Sequence, residues 1–528
     1  LSLEKFLYNL HFDVAKTKPP DLAVDWEDSP LPYKLYRGLP EMPLSPDVPL
    51  SLDGTAHESG KTGLREIGHF LWYAFGLSQL SQSVVGYSDG DAGLMQMYRR
   101  FAPSGGALYP NEIYMYLKAA ELPEGIYHYN AAHHRLVLLR EGAFDAYLTS
   151  ALGGRCKVSD CFGLVFVSTM FWKNFFKYNH FAYRLQGLDA GALLGQMLET
   201  AKRFGFETGV MYRFLDRPIN HLIGLSEREE CVYAVVPLST KPWADLINDD
   251  GSHVEPARVS ELCSELPALY RRQYVRSVKV GVSPLLTRMN EAAILDSMGT
   301  PPASIDGQTR FIRQYGETPL PSAERLHYDL ASVSRRRYSP NGDFVLSKVS
   351  REQLALLLRE TITSYSYAND LDKRDRDHPH LNRVSLFCCT HNVDGLPDGA
   401  YGYDGVAHSL LLMRQGDHRL KLQLGMTADN VNLLQVPLCF HVAGDRGHLR
   451  RSLGFRGYRI QQMEAGMLLQ RLLLTASAIG MAGHPLLGYD AMLSDEIYRM
   501  PTQGITGLIQ VPVGAYRQGP RLTGGLHA

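Results

Sequence analysis

The stretch Leu122–Gly142, LPEGIYHYNAAHHRLVLLREG, returns without a gap as Leu396–Gly416, LPDGAYGYDGVAHSLLLMRQG, at an offset of 274 (396 − 122). Further along, YRLQGLDAG from Tyr183 pairs with YRIQQMEAG from Tyr458 at an offset of 275 (458 − 183), so one residue of slippage covers the whole interval. Repetition at a fixed period means two copies of one structural unit. Two copies are too few for an open solenoid, so the reading is two domains packed on each other like a dimer fused into one chain.

Each copy has the same coarse order. Short apolar strands bounded by turn residues (Glu112–Lys118, Gly125–Tyr129 and Leu136–Leu139; Val384–Thr390, Gly399–Tyr403 and Leu410–Met413) precede a long apolar helix (Leu188–Phe204; Met463–Ile479). Strand-like runs, Cys231–Leu238 and Gly507–Val513, close the copies. This is an α+β pattern. The expected domains are a Pro-rich wrapping arm over residues 1–60, a first domain over 61–242, a linker over 243–325 with a helix near Val254–Tyr274, and a second domain over 326–528.

A chain of 528 residues with 45% hydrophobic content can bury two cores. Its 54 basic and 55 acidic residues leave a formal charge of −1, which draws it neither to nucleic acid nor to an anionic membrane. No apolar run is long enough to span a bilayer, and the first residues do not read as a signal peptide, so a cytoplasmic location is expected. The seven cysteines are odd in number and scattered, which does not suit a disulfide framework, and Cys156 and Cys161 lack the spacing of a redox or zinc pair. No metal site is expected. Dinucleotide-binding, P-loop and zinc-protease motifs are absent.

The chemistry concentrates in RRFAPSGGALYP, Arg99–Pro110. Pro103 restricts the turn, and Gly105 and Gly106 let the backbone approach a planar or anionic ligand. With LPEGIYHYNAAHHRL, FWKNFFKYNHFAYR and LDAGALLGQMLETAKRFG following in order, and LPYKLYRGLPEMPLSP upstream, most of residues 10–240 resembles the SagB and McbC type of FMN-dependent azoline dehydrogenase, a branch of the nitroreductase fold. In the second copy, SVSRRRYSPNG before VSREQLALLL resembles the family's basic start and first helix, and AIGMAGHPLLGYD its second flavin loop.

The resemblance implies two tandem nitroreductase-like domains forming an intramolecular pseudo-dimer, with FMN at the interface. The functional segments are divided unequally. The second copy carries Ser334, Arg335, Arg336 and Arg337 for the phosphate, Pro485, Leu486, Leu487 and Gly488 for the flavin edge, and Arg517 as a further phosphate candidate; the first copy has Val210 and Arg213 where Pro485 and Gly488 would fall. The first copy carries Pro103, Ser104, Gly105, Gly106, Ala107 and Leu108, where the second shows DRDHPHLNRVSLF. One competent flavin site per chain follows, assembled from both halves. Arginine forks suit phosphate because they make paired, charge-assisted hydrogen bonds.

Lys177 and Tyr178 occupy the family's catalytic Lys-Tyr position and align with Ser452 and Leu453 of the second copy. A desolvated lysine can serve as base, and a neighbouring ammonium would favour ionisation of Tyr178; which of the two moves the proton stays open at this stage. His128, His133 and His134 read as residues of a turn between strands, whereas His484 is a candidate contact in a flavin loop. LDKRDRDHPH at 371–380 reads as a solvated loop.

The function implied is oxidation of a peptidyl thiazoline or oxazoline to its azole in peptide natural-product biosynthesis. The partners implied are the azoline-containing peptide and a nonribosomal peptide synthetase carrier domain or a cyclodehydratase, with a further homodimer compatible. Two alternatives are an NAD(P)H-dependent nitro or quinone reductase, which has no need of the Lys-Tyr pair, and a flavin-free peptide-binding scaffold.

Overall fold

In the computed structural model, which describes residues 1–18, 23–53, 62–86, 92–248, 258–281, 283–299, 316–372, 382–518 and 522–528, the repeat becomes two sheets of identical topology. The first runs in spatial order Glu41–Pro43, Arg135–Glu141, Gly125–Asn130, Asn111–Leu117, Gly163–Met170, Glu230–Ser239, Glu207–Thr208. The second runs Glu317–Pro319, Ser409–Gln415, Gly399–Asp404, Val384–Thr390, Leu438–Asp445, Ile505–Gly514, Ala482–Gly483. Neighbours in both are antiparallel. Each first-named edge strand lies upstream of the expected domain core, at an offset of 276 (317 − 41), so the structural repeat starts earlier than the sequence match.

The two long helices, Ala182–Arg203 and Arg450–Ala478, form the seam between halves. Every residue from Ala182 to Ala201 is buried, as expected of a helix covered by its own sheet on one side and a partner helix on the other. Gly187, Gly191 and Gly195, spaced by four, share one face and let the backbones touch. A Cβ on Gly191 would stand 2.0 Å from the Met463 carbonyl oxygen, and one on Gly466 would stand 2.2 Å from that of Leu188. Because 191 and 466, and 188 and 463, are repeat equivalents, the pseudo-two-fold axis passes through this crossing. Tyr183 stacks on its own equivalent, Tyr458, with centroids 5.8 Å apart and planes at 15°. The largest apolar cluster draws on both halves, and smaller clusters cover the outer face of each sheet.

Buried ion pairs cross the same seam: Asp216 meets Arg456 at 2.7 Å and Arg459 at 3.3 Å, and Glu199 meets Arg471 at 2.8 Å. Ser350 opens the helix Arg351–Tyr365 with a capping box closed by Gln353.

A third sheet was not foreseen. The hairpin Leu77–Gly86 with Ala92–Arg100 is extended by Leu522–Gly525, so the last strand of the chain joins the first half. The helix expected near Val254–Tyr274 is confined to Val259–Glu265, because Leu266 precedes Pro267 and takes an extended conformation. Residues 254–257, the 54–61 stretch of GTAHESGKTGLREIG and most of LDKRDRDHPH (373–380) lie outside the described residues. No helix among the described residues is long and apolar enough to cross a membrane.

Candidate functional site

The hairpin strand ending at Arg100 feeds the loop Phe101–Pro110. Its backbone is left-handed at Gly106 (φ 64°), Ala107 (φ 57°) and Tyr109 (φ 49°). Left-handed non-glycine residues store strain, and such residues cluster at functional sites. What holds the loop is Asp189, on the long helix of the first half. Ser104 Oγ donates to its Oδ2 at 2.6 Å and the Gly105 amide to its Oδ1 at 3.1 Å, while Ser104 Oγ accepts from the Tyr109 amide at 2.9 Å. Asp189 is a site residue that sequence reasoning missed, although its equivalent, Glu464, repeats the acid in the quoted LDAG and MEAG segments.

Lys177 and Tyr178 end the short helix Trp172–Tyr178 and meet the loop at its apex. A Cβ on Gly106 would stand 2.6 Å from Tyr178 Oη and 2.9 Å from Lys177 Nζ. The helix is anchored one turn earlier: buried Lys173 donates to the Tyr109 carbonyl at 3.2 Å and to Glu112, which also takes His128 Nε2 at 2.9 Å. His128 therefore sits buried in the strand Gly125–Asn130 rather than in a turn; His134 is the turn residue, taking the left-handed conformation with Nδ1 on Tyr129 Oη at 2.9 Å.

Burial, with Lys18 nearby, lowers the Lys177 pKa. Tyr178 does not follow the expectation of easier ionisation. Burial, with the neighbouring Asp189 carboxylate, raises its pKa.

The second half brings its basic segment to the same loop. Arg337 is buried and donates from Nε to the Phe101 carbonyl at 3.0 Å, and the Arg99 guanidinium donates back to the Arg337 carbonyl. Burial, with Arg99 alongside, pulls Arg337 down to about 9, and no carboxylate among the described residues forms a salt bridge with it. A buried guanidinium in that position suits an anionic ligand. Ser334 is buried and accepts from Gln196 of the first-half helix at 3.3 Å. Arg335 reaches the Leu50 carbonyl and Tyr73 Oη instead, and Arg336 is exposed. Arg517 is exposed but adjoins this segment, its amide donating to the Asp343 carbonyl at 2.9 Å while Tyr516 packs on Tyr338.

Leu486 is tied to Gln510 by backbone bonds, Leu487 is buried in the shared core, and a Cβ on Gly488 would stand 2.3 Å from Thr427 Oγ1. His484 Nδ1 bonds the Pro340 carbonyl at 2.6 Å, joining the Pro485 loop to the basic segment. Pro103, Ala107 and Leu108 are half-buried. No hydrogen bond joins Pro485–Gly488 to Pro103–Leu108 among the described residues, so the structure links the two loops through the basic segment and the shared core.

The pseudo-symmetric place is filled by protein. Glu464, the equivalent of Asp189, receives Arg383 at 2.5 Å and Tyr367 Oη at 2.7 Å. Tyr212, the equivalent of Leu487, bonds Tyr367 Oη at 3.0 Å. Asp370 accepts from the Tyr212 and Arg213 amides at 2.8 and 3.1 Å and pairs with Arg155 at 3.0 Å, while the Val210 amide bonds the Ala368 carbonyl at 2.9 Å. The only His and carboxylate cluster with metal-like spacing among the described residues, His391, Asp398 and Asp417, has Arg419 on both oxygens of Asp417, which opposes a cation.

Residues 66–237 match the sequence pattern of the nitroreductase family. A protein from Anabaena variabilis assigned to the nitroreductases superposes over 98% of this chain and 99% of its own with a TM-score of 0.73 at 22% identity. A 115-residue stretch is 30% identical to the trifolitoxin-processing protein TfxB of Rhizobium leguminosarum bv. trifolii, covering 21% of this chain and 31% of that protein. This chain thus spans about a third of the length of that curated relative. A chain of the E. coli microcin synthetase McbBCD complex, solved with truncated pro-MccB17 bound, aligns over 35% of this chain at 21% identity with a TM-score of 0.28. The protein has a nitroreductase-like fold in two tandem copies. Within its first copy, residues 66–237 form a nitroreductase-family domain.

Proposed function

We propose that the protein is an FMN-dependent dehydrogenase that converts a peptide-borne thiazoline or oxazoline to the aromatic azole. The observation that carries this reading is the convergence of Lys177 Nζ and Tyr178 Oη on Gly106, at the apex of the loop whose first residue, Phe101, is held by the buried Arg337 of the other half, an arginine with no carboxylate in salt-bridge range among the described residues. Arg337, with Ser334 and Arg517, would hold the FMN phosphate, and Pro103–Leu108 and Pro485–Gly488 would flank its ring. Bound FMN would accept the hydride leaving one ring carbon of the azoline.

The chain's own residues handle the proton. Lys177, with its lowered pKa, supplies a neutral amine more readily than an exposed lysine does, and takes the proton from the adjacent ring carbon. Tyr178, held protonated by burial and Asp189, donates a hydrogen bond to the substrate. The filled pseudo-symmetric place supports one flavin per chain. The likeness to a trifolitoxin-processing protein supports a peptide substrate, ribosomal or carrier-bound.

The test is Lys177→Ala. Flavin absorbance should persist at about one FMN per chain while azoline oxidation falls about 100- to 10,000-fold, the usual contribution of a positioned base. Undiminished oxidation would remove Lys177 from the role, and two FMN per chain would overturn the split site. Rapid flavin reduction by NADH without azoline would favour the nitro or quinone reductase instead.

A further inference from the structure

Asp189 is a buried carboxylate with no cation in salt-bridge range among the described residues, an arrangement that is costly unless hydrogen bonds satisfy it. Burial raises its pKa to about 7, against the opposing pull of Ser104 and the Gly105 amide. Its two oxygens bracket consecutive loop residues, and Ser104 passes the connection on to the Tyr109 amide. The loop is thereby closed on itself with Gly106 at the apex, against Tyr178. In the second copy the same position, Glu464, is instead neutralised by Arg383.

We propose that Asp189 is the positioning residue of the site: through Ser104 and Gly105 it fixes the loop so that Gly106 presents to the Lys177–Tyr178 pair. This rests on the reading of the site given above. It acts through other groups and does not touch the substrate.

Asp189→Asn keeps the shape and one acceptor but loses the second acceptor and the charge. Amide hydrogen exchange of peptides covering residues 101–109 reads the loop directly and needs no substrate. The expected result is exchange at least about 10-fold faster there, with the rest of the chain unchanged and flavin retained. In azoline oxidation, kcat should fall on the order of 100-fold with KM within about twofold, the signature of lost alignment rather than lost binding. Asp189→Glu, which retains both oxygens, should restore loop protection and a fraction of kcat. Unchanged loop exchange, or wild-type kcat in Asp189→Asn, overturns the proposal. Loss of flavin or of the fold in Asp189→Asn also overturns it, because the residue would then be structural. If the loop loosens as expected but wild-type protein oxidises no azoline, the positioning role stands and the azoline reading fails.

Discussion

Gly106→Ala is the sharpest perturbation of the candidate site. The residue has φ 64° and ψ 16°, where an L side chain costs about 1–2 kcal/mol. Its new methyl would stand 2.6 Å from Tyr178 Oη, so the phenol must retreat by about 0.8 Å to reach ordinary contact; the cost of such overpacking is about 1–3 kcal/mol. Lys177 Nζ, at 2.9 Å, ends a flexible chain and can swing away, whereas Tyr178 is a rigid ring in mostly buried surroundings. The stability loss is therefore modest. The catalytic loss is larger, because displacing a reacting group by about 1 Å costs on the order of 100-fold. Turnover of an azoline peptide, measured beside flavin content and melting temperature, separates the two effects. Gly105→Ala is the control: the nearest atom to its methyl is Leu185 Cδ2 at 2.7 Å, the end of a side chain that can rotate. Gly106→Ala retaining turnover within about threefold of wild type at equal flavin content would refute the placement of Lys177 and Tyr178 at the reacting centre.

Two further outcomes test the framework around the site. Gly191→Ala must push the paired helix backbones about 1.4 Å further apart at their crossing, since its methyl meets the Met463 carbonyl at 2.0 Å and neither partner is a movable side chain; melting temperature and flavin content should fall together. Burial pushes the Glu112 carboxyl up, but Lys173, His128 and Arg100 together bring it down to about 2. That value lies below the ordinary 4.5, so the stabilisation is complete above pH 4.5 and is lost as pH falls towards 2. Urea midpoints across that window should decline in wild type and flatten in Glu112→Gln.

Much of the fold was legible because duplication writes the same physics twice. His134 and His408 both take left-handed backbone and both place Nδ1 on the Tyr hydroxyl five residues earlier, at 2.9 and 2.8 Å. The paired segments YRLQGLDAG and YRIQQMEAG lie on the two long helices that pack across the seam. The third sheet escaped because its strands, LSQLSQSVVG and AGLMQMYRR, alternate weakly and one partner lies more than 400 residues away. Within the site, the Lys-Tyr pair and the glycine loop were readable as a run, but their supports were not. Glu112 and Lys173 are 61 residues apart, and Ser104 and Asp189 are 85 apart, so only folding reveals them as partners. The expectation for Tyr178 failed for a related reason: the lysine beside it in sequence was visible, whereas the burial of the phenol and the carboxylate of Asp189 were not.

The filled pseudo-site makes the asymmetry itself testable. Arg383 and Glu464 are both buried, and each satisfies the other's charge. Arg383→Met would leave Glu464 uncompensated, a loss of about 3–5 kcal/mol, whereas replacing both partners with apolar residues of similar volume is often close to neutral. The double variant Arg383→Met with Glu464→Leu should therefore recover most of the stability lost by the single one, although Tyr367 and Asp372 each lose one partner. Because this pair stands where the second copy lacks the loop that Asp189 holds in the first, the double variant should keep its flavin at about one per chain and its turnover near wild type. A double variant that folds like wild type but loses flavin or turnover would place Arg383 and Glu464 inside the working site. The division between one open and one filled place would then be wrong.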